Sequence, residues 1–366
     1  MQNEICFDRQ VDRQPGRNYG IDALRLISMF MVTVLHTLGH GGALNTAVGL
    51  NYNIVWLIEI IAYCAVNCYA IISGFVSYSE IEKPYRYSKY ISMWLQVVFY
   101  SFGISLITFF ISSGNLVGVK GLIKSLLPVV TKRYWYFSAY TALFFIIPWL
   151  NFFVRKLNKE EMTRFVLVLF VLFSCLSILV DPFSFNSGYS FGWLAVMYLF
   201  GAWLKKCDII NKIKGCYALL VMLICILFTW ILKSFLSIGI FVSYLSPTIV
   251  IIALCFVVIF AKLDISKAAK TIIGFLSPAA FGVYIIHEHS VIKDNLINDR
   301  FLWIAELRWY LVPIAVIVSA LCIFTICIVV EKIRLSLFKV LKINRIAENC
   351  CIKAESWLKT LWQKYI

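Results

Sequence analysis

The sequence predicts an all-α, polytopic transmembrane helix bundle of about ten spans, and three observations carry that prediction. Apolar residues make up 61% of the 366-residue chain and charged residues only 14%, against roughly 25% charged in soluble domains. The mean hydropathy of +0.84 reflects repeated apolar runs rather than one greasy tail. Many of these runs approach the roughly 20 residues a helix needs to cross a bilayer. Runs such as Val166 to Val180 lack the period-two alternation that a spanning β-barrel would show. Helices are therefore expected throughout.

The first twenty residues are polar and carry Arg9, Arg13 and Arg17. No small-residue cleavage site interrupts the apolar run that follows, so this run is expected to be a retained first span and not a signal peptide. In order, helices are predicted near 21–39, 53–79, 91–113, 134–154, 165–181, 190–204, 216–236, 247–261, 271–291 and 309–330. Threading them from a cytoplasmic N-terminus puts most loop cations inside: Arg86 and Lys89, Arg155 to Arg164, Lys205 to Lys214, and Lys262 to Lys270. The outside loops at 40–52 and 181–190 hold no Lys or Arg. That asymmetry obeys the positive-inside rule and places both termini in the cytoplasm. The expected organisation is a basic N-terminal segment at 1–20, a membrane domain at 21–330 and a basic tail at 331–366. In that tail Trp357, Leu358, Leu361 and Trp362 recur at helical spacing opposite Lys353, Lys359 and Lys364. A helix on the inner leaflet fits; so does a simple topology-fixing tail.

The net charge of +15 raises nucleic acid as a partner, but the cations sit between apolar runs and form no aromatic-studded basic face. A nucleic-acid partner is not expected. The twelve cysteines lie mostly inside apolar runs, where they behave as small apolar residues.

Charges inside spans are costly and usually mark function. Asp22 and Arg25 are three apart at the inner end of the first helix and can pair. His36 follows Arg25 by eleven residues, about three helical turns, which sets both on one face roughly 16 Å apart. The plain structural alternative makes Arg25 a snorkelling anchor and His36 a packing residue. The chain has four histidines, His36, His40, His287 and His289, and the threading puts all of them at the outer ends of helices one and nine. Such a cluster suits a general base or, with His36, His40 and Glu288, a metal site. No HExxH pattern or suitably placed Cys supports the metal, so none is expected. Glu59, Asn67 and Ser73 are further polar features of helix two, although Ser and Gly in spans more often serve packing. The loop from Lys83 to Tyr90 mixes cations and tyrosines and suits phosphate as well as topology.

With these residues laid out, the pattern resembles acyltransferase family 3, membrane proteins that acylate bacterial surface glycans and other small acceptors. The resemblance rests on Ile21-Asp22-Ala23-Leu24-Arg25 leading to His36, and on Val66-Asn67 leading to Ser73-Gly74-Phe75 with Arg86 and Lys89 beyond. Tyr134-Trp135-Tyr136-Phe137 opens helix four, and Gly188-Tyr189-Ser190 precedes Trp193, Tyr198 and Gly201. Ser277 followed by Phe281-Gly282-x-Tyr284-x-x-His287 completes it. Leu26 stands where many members have Gly, and Arg133-Tyr134 where many have His before the Trp. Both departures bear on the subfamily and its substrate.

The resemblance implies acyl-CoA, most simply acetyl-CoA, as co-substrate, with no permanently bound cofactor. It implies a hydroxyl acceptor on a cell-surface or lipid-linked glycan and a place in the bacterial cytoplasmic membrane. Carried onto this chain, it makes His36 the base, with Arg25, His287 and Tyr284 in the catalytic set. Arg25, Ser73, Arg86 and Lys89 fall to the donor; Glu59, Asn67, Trp135, His40 and Glu288 to the acceptor. The competing class is a transporter or flippase of a lipid-linked saccharide. Such proteins often carry internal repeats, and none is evident here.

Overall fold

The computed structural model describes residues 17–82 and 85–365. Arg9, Arg13, Lys83 and the side chains of Leu358, Lys359, Leu361, Trp362 and Lys364 lie outside the described residues. Each of the ten predicted segments is helical, and no strand occurs among the described residues. Eight helices there are long and apolar enough to cross a membrane.

The first, α1 (Tyr19–Leu38), starts where the Asn18 side chain accepts from the Ile21 N–H at 3.1 Å, with Asp22 in the first turn, where the helix dipole favours an anion. The predicted second span starts earlier than expected and is broken: α2 (Gly49–Tyr63) and α3 (Ala65–Ser77) meet at Cys64. Next come α4 (Ser88–Ile111) and α5 (Trp135–Lys156). Then α6 (Lys159–Phe170) opens with an Asn158–Glu161 capping box, and α7 (Phe191–Lys206) is capped by Ser190. The series continues with α8 (Gly215–Phe235) and α9 (Pro247–Ala261), which has Pro in its first turn, where no N–H is lost. The ninth predicted span is two helices, α10 (Lys267–Leu276) and α11 (Ala280–His287), joined by a 3-10 turn at Ser277–Ala279. The last span, α12 (Val312–Val340), runs ten residues past its predicted end, and α13 (Ile343–Tyr365) follows.

The extension of α12 has a physical cause. Glu331, expected to begin the polar tail, is fully buried and every charge on it is answered. Gln96 donates to its Oε1 at 3.1 Å, Tyr100 to its Oε2 at 2.8 Å, and Arg334 Nε to Oε2 at 3.0 Å. A charge paired within the protein need not end an apolar helix.

Burial sorts the spans. In α1 67% of the apolar stretch is buried, against 28% in α4, α8 and α12, so α1 is central and the others face outward. Three glycines permit the close crossings around it. A Cβ on Gly74 would lie 1.9 Å from the Tyr198 carbonyl, and one on Gly201 1.9 Å from that of Ile71, so α3 and α7 touch backbone to backbone. A Cβ on Gly282 would meet the Glu331 carboxyl at 2.5 Å, which fixes α11 against α12. The glycines of the sequence motifs are thus packing residues.

Candidate active site

Two backbone hydrogen bonds hold the end of α1 against the chain after α11: Asp299 N–H to the His40 carbonyl at 2.9 Å, and Phe301 N–H to that of Gly41 at 3.0 Å. They bring His287 against His36 and His40; His289, expected in the same cluster, is instead buried apart from it, its Nε2 2.9 Å from the Arg133 guanidinium and 3.2 Å from the Ser101 carbonyl. His36 Nδ1 lies 2.8 Å from His287 Nε2, and the His36 and His40 rings are 4.6 Å apart.

This contact fixes the proton positions. His287 Nδ1 is 2.6 Å from the Val283 carbonyl, which can only accept, so that nitrogen carries the hydrogen. In the neutral ring Nε2 is then a bare acceptor, and His36 Nδ1 must donate to it. The remaining nitrogen of His36, Nε2, therefore holds a free lone pair. It has no hydrogen-bond partner among the described residues, and His36 lines an internal cavity of about 300 Å³. An imidazole oriented through one nitrogen and bare at the other has the geometry a general base requires.

Glu288 supplies the charge that such a base needs once protonated. Its Oε2 lies 3.2 Å from His36 Nδ1 and 3.6 Å from His40 Nε2, off the hydrogen-bond axis of both. Its Oε1 accepts from Lys293 at 3.0 Å. Glu288 follows the spanning segment, which ends at His287. Burial works to raise its carboxyl, and His40, His36 and Lys293 together overcome this and hold it down at about 2. It is a fixed anion beside the imidazole.

The same three residues could hold a metal ion by donor type, since ligand atoms of His36, His40 and Glu288 all lie within 4.8 Å of one another. A metal on His36 Nδ1 would displace the 2.8 Å contact to His287 and leave the ring's proton on Nε2, so the ring cannot ligate through Nδ1 and serve as a base through Nε2 at once.

Tyr284, Glu59, Trp135, His40 and Glu288 also line the His36 cavity. The Tyr284 hydroxyl accepts from the Tyr136 N–H at 3.4 Å, leaving its own proton free to donate. His287 acts from behind His36, with both nitrogens engaged. Asn67 is fully buried and spent: it donates to the Tyr244 carbonyl and accepts from Trp193 Nε1, both at 2.9 Å. It shapes the wall and does not face the cavity.

A second cavity, of about 750 Å³, lies at the other end of the bundle. Arg86 and Lys89 line it as the basic loop suggested, together with Arg155 and Lys205, and among the described residues no acidic one does. The last two were read from sequence only as topology signals; their convergence needs the fold. Lys205 donates to the Tyr78 carbonyl at 2.7 Å, and Arg155 is 3.8 Å from Glu82.

The two cavities share no lining residue. Tyr136 lines the first and Tyr140, one helical turn on, lines the second; their rings stack 6.1 Å apart. Tyr69 packs 6.2 Å from Tyr136 and donates to the Arg25 carbonyl at 2.9 Å. Arg25 itself lines neither cavity, being held by Asp22 at 2.9 Å, the pairing that their spacing predicts. Ser73 lines neither either; its hydroxyl donates to the Tyr69 carbonyl at 3.0 Å. A tier of tyrosines thus separates the base from the cations.

A membrane helix bundle with an oriented histidine above a cation-lined chamber fits a membrane-embedded group-transfer enzyme. The comparison with protein families agrees: the sequence model of an acyltransferase domain, that of acyltransferase family 3, matches residues 18–332. The chain belongs to that family and is a multi-pass membrane acyltransferase. No curated protein and no solved structure matches it.

Proposed function

We propose that the protein transfers an acyl group, acetyl in the simplest case, from acyl-CoA to a hydroxyl of a cell-surface or lipid-linked glycan. The observation that carries this reading is the chain from the Val283 carbonyl through His287 to His36, which leaves His36 Nε2 bare in a cavity beside a fixed carboxylate. In this reading the acceptor hydroxyl gives its proton to His36 Nε2 as its oxygen attacks the thioester carbonyl. The Tyr284 hydroxyl donates to the developing oxyanion, and Glu288 stabilises the imidazolium. Collapse expels the CoA thiolate, which takes the proton back from His36.

Arg86, Lys89, Arg155 and Lys205 suit the phosphates of CoA, being four cations without an acidic neighbour in the wall. With that chamber in the cytoplasm of a bacterial cell, as the loop charges favour, the pantetheine arm reaches His36 past the Tyr69–Tyr136–Tyr140 tier. Those rings must turn to let it through.

The test is mass spectrometry of surface glycans from cells carrying the wild-type gene, no gene, or His36→Ala. One acyl unit should be lost from the glycan in the second and third. Full acylation by a properly inserted His36→Ala protein would remove the base. Saccharide movement that does not depend on acyl-CoA would point to the flippase.

A further inference from the structure

Arg133, where the chain departs from the family pattern, lines a separate cleft of about 390 Å³ beside the His36 chamber. The two spaces share no lining residue, but the same two segments wall both. One gives Arg133 to the cleft and Trp135 and Tyr136 to the chamber. The other gives Ser290, Asp294 and Asn295 to the cleft and Glu288 to the chamber. Tyr134, fully buried between Arg133 and Trp135, is extended, with φ of −127° and ψ of 104°. The Cα atoms on either side of it are therefore about 7 Å apart. Adjoining parts of one ligand could occupy both spaces.

The cleft wall is polar, and its polar groups are held in place. Arg133 Nη2 lies 3.0 Å from Ser105 Oγ, 3.2 Å from Ser290 Oγ and 2.9 Å from His289 Nε2. Asp294 Oδ1 accepts from Asn298 at 3.1 Å, and Asn295 Nδ2 donates to the Val291 carbonyl at 2.8 Å. Each of the last two keeps one oxygen back: Asp294 Oδ2 and Asn295 Oδ1 have no hydrogen-bond partner among the described residues. Among those residues Arg133 and Asp294 are the only charged members of the wall, and they do not pair with each other. A guanidinium and a carboxylate thus face one space without meeting across it. Their charges balance, so the cleft favours neither an anion nor a cation. A pair of neighbouring hydroxyls suits it, because a hydroxyl both donates and accepts.

We propose that this cleft is a second sugar subsite, holding the uncharged glycan residue next to the one that is acylated. This deepens the acyl-transfer reading and rests on it. One hydroxyl of that residue donates to Asp294, its neighbour accepts from Arg133, and Val117 and Val291 lie against the ring's C–H groups. The preferred acceptor is then a glycan chain and not a free monosaccharide. The distance between subsites sets which residue of the chain reaches His36.

Gly118 offers a way to close the cleft. It lines the wall, its φ of −75° is ordinary for any residue, and a Cβ there would meet nothing within 4 Å. Gly118→Trp should therefore fold and fill the space without touching the His36 chamber.

The experiment uses the full chain in lipid nanodiscs with radiolabelled acetyl-CoA. Its acceptors are methyl β-cellobioside, methyl β-maltoside and methyl β-lactoside, each against the methyl glycosides of its component sugars. In wild type the best disaccharide should exceed its components by about tenfold in kcat/KM, as hydrogen bonds to charged groups provide. Gly118→Trp should reduce that ratio to about twofold with the KM for acetyl-CoA unchanged, and Asp294→Asn should reduce it to about threefold. No disaccharide advantage in wild type, or an equal advantage in Gly118→Trp, overturns the proposal. So does a methyl cellobiouronide that wild type prefers tenfold over the cellobioside, since Arg133 would then be reading a carboxylate. A second readout needs no turnover: a disaccharide should raise the thermal unfolding midpoint of wild type more than its components do, and Gly118→Trp should lose the difference. If that holds while no sugar is acetylated, the subsite stands and the acyl-transfer reading falls. If no sugar moves the midpoint, or all move it equally, the subsite falls.

Discussion

The two cavities are built on opposite principles. Around His36 the groups behind the base are committed, His287 to Val283 and Glu288 Oε1 to Lys293, while His36 Nε2 and the Tyr284 proton stay free. No cation lines that chamber. The basic cavity is more than twice as large and is lined by four cations, two of which, Arg86 and Lys89, have side chains with no ion pair or hydrogen bond among the described residues. The first arrangement holds atoms still for chemistry, where preorganisation counts most. The second attracts and accommodates a charged, flexible ligand. If this division is real, substitutions in one chamber should change turnover and those in the other should change binding of the donor.

The largest effect is expected at the base. His36→Ala should lower kcat by up to about 10⁴-fold, the upper end of the 10²–10⁴ range for loss of a general base, while the KM for acyl-CoA stays within about twofold. Single-turnover kinetics on purified protein would show it. A loss confined to the donor KM would place His36 in the binding chamber and break the comparison.

Glu288→Gln comes next. It keeps the shape and removes the charge beside the imidazolium, and about 10²-fold in kcat should go with it. The carboxyl titrates at about 2 instead of 4.5, so it stays ionised throughout any workable assay range. Acid loss of activity near neutral pH must therefore come from another group, and in Glu288→Gln the acid limb of the kcat profile should persist at reduced amplitude. Its disappearance would make Glu288 the titrating group.

How far this was legible in sequence differs between the chambers. Hydropathy located all ten helical segments, because each span is a long local signal. It missed the breaks at Cys64 and at Ser277–Ala279 and the end of α12; the last depends on partners far away in the chain, since Gln96 and Tyr100 are what let Glu331 stay inside. Three of the site's histidines could be anticipated because four histidines are few and sat at two helix ends; that His289 turns away to Arg133 could not. Nor could the meeting of Tyr63, Tyr189 and Tyr244 in the cavity wall, since tyrosine is common here and nothing local marks which rings meet. Arg155 and Lys205 were hidden for a related reason. Every inner loop is basic, so the positive-inside pattern masks the four cations that converge.

Arg86→Ala and Arg155→Ala should each raise the KM for acyl-CoA about tenfold, the worth of one charge-assisted contact to phosphate, with kcat little changed. An equal fall in kcat would mean that the basic chamber also positions the reacting end of the donor.

The smallest effect separates the chambers without any mutation. Salt screens charges that water can reach: the Debye length falls from about 10 Å at 0.1 M to about 3 Å at 1 M. Arg86 and Lys89 line a cation-rich chamber, so raising salt across that range should increase the donor KM about two- to fourfold. His36 and Glu288 stand 3.2 Å apart, closer than salt can screen. The acceptor KM and the kcat should therefore hold steady. In Arg86→Ala the salt slope of the donor KM should be shallower, since one attracted charge is gone. A slope that is the same in wild type and Arg86→Ala would mean that salt acts elsewhere, on the membrane surface or on the donor itself. An acceptor KM that rises in parallel with the donor KM would mean that ions reach both chambers and that the tyrosine tier does not divide them.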